Sequence, residues 1–188
     1  MHDYADIVCG VEAIERRVHV SMNEDEFLEF YALTARRLRA YLTRMSGDAS
    51  LSDDLMQEAY CRWFEAAGRP QDGDGQRRYL FRIATNLFYD HCRQAKRNAG
   101  PIDQTTEPVD EEAERRFEIH CDVGDVFRTL KPRQRALLWL AYVEGMRHAE
   151  IAQVLGLSRL SIRPLLLRAR RQMAKTLRAR NLEPRRRS

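Results

Sequence analysis

The chain has 188 residues, 44% of them hydrophobic, enough to bury a core in one large domain or two small ones. Glycine and proline are sparse and strand-like alternation is nearly absent, so the periodic runs predict an all-α protein. The net charge is only +4, but eleven Lys or Arg from Arg159 onward face one acid, Glu183, while seven acids between Asp103 and Glu118 face only Arg115 and Arg116. A basic end invites a polyanion, and the acidic stretch excludes one.

Residues 1–22 carry Ile7, Val11, Ile14 and Val18 at helical spacing, with Gly10 weakening that helix by about 1 kcal/mol relative to alanine. We read them as an extension that forms a marginal helix or docks loosely. Residues 24–45 form a clear amphipathic helix. Its expected buried stripe is Phe27, Phe30, Tyr31, Thr34, Leu38, Tyr41, Leu42 and Met45. After a break at Ser46 to Ser50, Ser52 or Asp53 is expected to cap a second helix running to about Ala67, with Leu55, Ala59, Tyr60 and Trp63 inward. Residues 68–75 read as a loop.

A third helix spans residues 76–96, with Leu80, Ile83, Ala84, Leu87 and either Phe88 or His91 inward. Arginines alternate along it with Tyr79, Phe81, Phe88 and Tyr89, more rings than one inner face needs. Rings beside cations suit unstacked bases, although most such rings serve a core. Two prolines and a run of acids then mark residues 99–115 as a flexible linker and the boundary between domains.

Helical sequence resumes over residues 117–130, and Pro132 suits the first turn of a helix running to Val143. The stretch from His148 to Met173 reads as a short helix, a turn at Gly156 and a second helix rich in arginine. Ile151, Val154 and Leu155 line one inner face; Ile162, Leu165, Leu166, Ala169 and Met173 line the other. Ser158 or Ser161 is placed to cap the second helix. Such a pair presents the start of its second helix to a DNA major groove. Residues 181–188 form a basic tail.

Cys9, Cys61, Cys92 and Cys121 are isolated and no histidines cluster, so neither a metal nor a disulfide framework is expected, and a reducing cytoplasm fits. No apolar run approaches the roughly 20 residues of a membrane span. No nucleophile stands beside a base and no acids cluster at metal spacing, so no enzyme, cofactor or small-molecule substrate is expected.

A helix-turn-helix alone is generic; the first half narrows the choice. The segments F-L-E-F-Y, D-D-L-M-Q-E-A-Y-C-R-W-F and Y-L-F-R-I-A-T-N-L-F-Y-D-H-C-R occur in that order in the first half. They are followed by L-K-P-R-Q-R-A-L-L-W-L-A-Y-V-E-G-M, A-E-I-A-Q-V-L-G-L-S and R-A-R-R-Q-M. Together they make the chain resemble the extracytoplasmic-function (ECF) class of bacterial RNA polymerase sigma factors, in the sigma-70 family. The resemblance implies a region 2 domain over residues 23–98 and a region 4 helix-turn-helix domain over residues 116–180. It implies core RNA polymerase and promoter DNA as partners, and raises an anti-sigma factor as a third.

Carried over by motif, Asp54, Leu55, Gln57, Glu58 and Arg62 would contact core polymerase. Arg78, Tyr79, Arg82, Asn86, Asp90, Arg93 and Arg97 would read and open the −10 element. Ser158, Arg159, Ser161, Arg163, Arg168 and Arg171 would bind the −35 element. Asp110, Glu111, Glu112 and Glu114 would either mimic nucleic acid inside the polymerase or serve as a solvated spacer. The competing reading is a helix-turn-helix regulator that binds an operator and never touches polymerase. One residue departs from the family pattern. Pro164 would remove a backbone hydrogen bond to Leu160, so the second helix is expected to start late, at Ser161, or to kink between Leu160 and Pro164.

Overall fold

The structure, a computed structural model, describes residues 24–98 and 122–180, which contain three and four α-helices respectively. The expectations for residues 1–22, the acidic linker, residues 117–121 and the basic tail fall outside the described residues.

Helix α1 (Glu24–Ser46) buries Phe30, Thr34, Leu38, Tyr41, Leu42 and Met45 at three- and four-residue steps. Phe27 is half-buried and Tyr31 is 39% exposed, so the apolar stripe loosens toward the helix start. Helix α2 (Ala49–Glu65) begins earlier than the sequence predicts. Its cap is Asp48, whose Oδ1 accepts the Leu51 N–H at 3.1 Å. Ser52 is instead buried inside the first turn, and Asp53 is paired with Arg39 through two bonds of 2.6 and 2.9 Å.

Helix α3 (Gly73–Asn98) also starts early, inside what its glycines mark as a loop. Asp72 Oδ1 accepts the Gly75 N–H at 2.6 Å and the Asp72 carbonyl accepts from Gln76, which together nucleate the helix. A Cβ at Gly75 would lie 2.7 Å from the Pro70 side chain, so close packing accounts for the glycine.

These three helices enclose Trp63, whose indole stacks on Phe30 at 4.4 Å between centroids. Buried hydroxyls pair with one another: Tyr41 with Thr85 at 2.8 Å, and Thr34 with Tyr60 at 2.7 Å. Unpaired, such groups would cost about 1–3 kcal/mol each. Phe81 and Phe88 are buried with them, and His91 is exposed. The core therefore takes up two of the four rings of α3 that stood as candidates for base stacking, while Tyr79 and Tyr89 are half-buried.

The second half comprises α4 (Asp122–Thr129), α5 (Pro132–Tyr142), α6 (His148–Leu155) and α7 (Arg159–Ala179). Pro132 occupies the first turn of α5, and Gln134 Oε1 reaches back to the Lys131 N–H at 3.1 Å. Ala136, Leu137, Leu138 and Leu140 are all buried, and Trp139 and Ala141 are half-buried.

The two halves pack against each other, and their buried residues form one continuous cluster. Helix α3 lies along α6, and α1 contacts α4 and α5. Trp139 of α5 approaches Tyr41 of α1, with 6.3 Å between ring centroids. Just past α5, Glu144 is 2% exposed at its side chain, with Arg37 Nε 3.2 Å and Arg77 Nη1 3.8 Å away. Trp139 Nε1 donates to its other carboxylate oxygen at 3.3 Å.

Candidate functional site

Three surfaces hold the residues singled out from the sequence. The first is the helix-turn-helix. Helix α6 starts where Glu150 Oε2 accepts the Arg147 N–H at 2.7 Å. That bond, then the Arg147 side chain and the nearby Arg147 and Arg78 charges, hold the Glu150 carboxyl below its usual range despite burial. The helix ends at Gly156 (φ 62, ψ 39), a left-handed conformation that glycine adopts without steric cost. The Leu157 N–H then bonds back to the Ala152 carbonyl at 2.9 Å, closing the turn.

Helix α7 follows with Ser158 at its N-cap, so the late start expected at Ser161 does not occur. The helix runs without a break through Pro164. Proline has no N–H to offer the Leu160 carbonyl, and packing of the inner face carries the helix past that gap. Ile162, Leu166 and Ala169 are buried against α4, α5 and α6. Of the −35 candidates, Ser158, Arg159, Arg163, Arg168 and Arg171 are exposed and Ser161 is half-buried. Helix α7 contains no acidic residue.

The second surface is the outer face of α3. Arg82, Asn86, Asp90, Arg93 and Arg97 are all exposed along one strip, and Arg93 pairs with Asp90. The other two −10 candidates are not on it. Arg78 is turned to the second half, where its Nη1 lies 3.2 Å from Glu150 Oε1 and Nη2 3.7 Å from Asp72. Tyr79 is half-buried and packs on the core.

The third surface is the outer face of α2, where Asp54, Gln57, Glu58 and Arg62 are exposed and Arg62 pairs with Glu58 at 2.6 Å. Leu55, grouped with them by motif, is 8% exposed and belongs to the core, one helical step from that face.

Some residues of interest were not foreseen. Glu144 and its two arginines join segments far apart in sequence, so no local pattern marks them. Leu160 is 87% exposed at the second position of α7. Its place opposite Ile162, Leu166 and Ala169 on a helical wheel was a usable signal. Among the described residues no group of His, Cys, Asp or Glu has the arrangement to hold a metal, and no helix is long and apolar enough to cross a membrane.

Two family models match stretches of the chain. Residues 30–98 match the model for Sigma-70 region 2, and residues 122–173 match that for Sigma-70, region 4. The chain is 31% identical over 156 residues to ECF RNA polymerase sigma factor SigE of Mycolicibacterium smegmatis, covering 79% of this chain but 59% of that protein's length. It is 30% identical over 167 residues to RNA polymerase sigma-E factor of Streptomyces coelicolor, covering 85% of this chain and 92% of that one. Two solved structures share the fold with a TM-score of 0.62 each. One is the sigma factor RpoE in complex with the anti-sigma factor NepR from Bartonella quintana, at 20% identity over 81% of this chain and 97% of that one. The other is CnrH in complex with the cytosolic domain of CnrY, at 24% identity over 88% of this chain and 94% of that one. With both regions present in order along a helical chain of this length, the protein belongs to the ECF class of RNA polymerase sigma factors in the sigma-70 family.

Proposed function

We propose that this chain binds core RNA polymerase, directs it to promoters through their −35 and −10 elements, and assists DNA melting. The observation that carries this reading is the pairing of two outward DNA-facing surfaces with a separate acidic and amide strip. Helix α7 shows exposed arginines and no acid, and α3 shows Arg82, Asn86, Arg93 and Arg97 on one face. Asn86 offers both a donor and an acceptor to an extruded base, while arginines hold phosphates. Arg159, Ser161 and Arg163 face base edges near the start of α7, and Arg168 and Arg171 approach the backbone.

The strip of Asp54, Gln57 and Glu58 on α2 suits a basic helix of the polymerase. In this role the protein acts by binding, performs no chemistry of its own, and works in the cytoplasm beside the polymerase. An anti-sigma factor is a further partner in this reading, in keeping with the complexes of RpoE with NepR and of CnrH with the cytosolic domain of CnrY, whose fold this chain shares.

The double substitution Asp54→Lys with Glu58→Lys tests the polymerase contact, because both side chains are exposed and their loss leaves the core intact. We expect the variant to lose binding to core polymerase while keeping its thermal stability. Undiminished binding would instead favour a regulator that acts without polymerase.

A further inference from the structure

Helix α7 has two apolar faces. One packs inward through Ile162, Leu166 and Ala169. The other points into solvent, where Leu160, Pro164 and Leu167 follow at steps of four and three. Leu160 is 87% exposed and Leu167 45% exposed. A lone exposed leucine on a protein surface is ordinary. This one occupies the second position of the helix that enters the groove, with Arg159 and Arg163 exposed beside it. One turn further on, Pro164 stands at a position where helix formation disfavours proline more than any other residue. Two choices that run against stability thus fall on one face, one turn apart, at the end of the helix that meets DNA. Such local conflicts collect at functional positions.

We propose that Leu160, seated beside Pro164, reads the 5-methyl group of a thymine in the major groove of the −35 element. The inference rests on the −35 role of α7 proposed above and adds a base preference to it. Of the four bases, only thymine shows a methyl group in that groove. Cytosine would set its N4 amino donor against an apolar side chain that cannot accept it. The arginines and the absence of acids on α7 supply the charge complement for duplex DNA, which a docking helix of another protein would not require. Leu160 thereby supplies discrimination, and the arginines supply most of the affinity.

The experiment uses holoenzyme assembled from the full-length chain and core polymerase, bound to a promoter duplex selected from a random library. Each −35 thymine is replaced in turn by deoxyuridine, which removes only the methyl group, and affinity is measured by fluorescence anisotropy. A control duplex carries a scrambled −35 element. The wild type is expected to lose roughly fourfold at one or two deoxyuridine positions, the worth of one buried methyl. Leu160→Ala is expected to bind thymine and deoxyuridine duplexes equally, at the wild type's deoxyuridine level. Because Leu160 lies outside the core, its thermal melting should match the wild type. Methyl sensitivity that persists in Leu160→Ala would overturn the assignment. So would a wild type indifferent to every deoxyuridine yet weakened by the scrambled element, with the −35 role left intact. Indifference to the scrambled element itself would defeat that underlying role, and this inference with it.

Discussion

Arg37 Nε of α1 lies 3.2 Å from the Glu144 carboxylate, which follows α5 and is 2% exposed at its side chain. Arg77 of α3 reaches the same oxygen from 3.8 Å. One carboxylate therefore ties two helices of the first half to the second. A charge so deeply buried is tolerated only while its partners stay in place.

Substituting Glu144→Lys should part the two halves, because a third cation would then be buried at residue 144 against Arg37 and Arg77. The cost of a broken buried pair is about 3–5 kcal/mol, larger than the worth of an exposed one. Small-angle scattering should show a larger radius of gyration with helix content unchanged by circular dichroism. An unchanged radius would mean that Tyr41, Trp139 and the apolar contacts hold the halves together without the carboxylate.

Glu150 should make stability depend on pH in one direction. Its folded pKa is lowered, first by the Arg147 N–H bond and further by the Arg147 and Arg78 charges. A lowered folded pKa contributes stability above the unfolded value of about 4.3 and loses it as pH falls through the folded value. The melting temperature of Glu150→Gln should therefore sit below that of the wild type at pH 7, by the equivalent of about 0.5–1 kcal/mol. The gap should close as pH drops below 4.3. A gap of constant size across that range would remove the charge from the account.

Pro164→Ala should stabilise the protein by up to about 3 kcal/mol, since it restores the bond from residue 164 to the Leu160 carbonyl in an unbroken helix. Differential scanning calorimetry would register a rise of several degrees. A lower melting temperature would show that the proline ring makes packing contacts worth more than the bond.

Much of this architecture was legible from spacing. The stripes of α1 and α2 and the hinge at Gly156 follow from apolar periodicity and breaker residues, which act within a few positions of one another. The helix starts were misjudged where side chains rearranged the local turns: Asp48 took the cap expected of Ser52 or Asp53, and Asp72 drew Gly73 to Gly75 into α3. The outer strip of α3 was legible because Arg82, Asn86, Asp90 and Arg93 recur at helical steps. The fate of Arg78 was not, because Glu150 stands 72 residues further along the chain. Leu160 was named only for the carbonyl that faces Pro164, although its angle around the helix, opposite Ile162, Leu166 and Ala169, was readable from the spacing. Proline at position 164 was given two outcomes, a late start and a kink. The late start does not occur: the helix begins at Arg159 and is continuous through Pro164, with three side chains buried on the opposite face.

The central claim is that the two halves act together as a promoter-directed partner of polymerase. Run-off transcription by core polymerase over a random promoter library, with and without the full-length chain, tests it most directly. We predict that transcripts depending on the chain will share a paired −35 and −10 sequence. We also predict that Arg82→Ala with Asn86→Ala will reduce their yield without weakening core binding. A chain-independent transcript pool, or one with no selected pair of elements, would contradict the account.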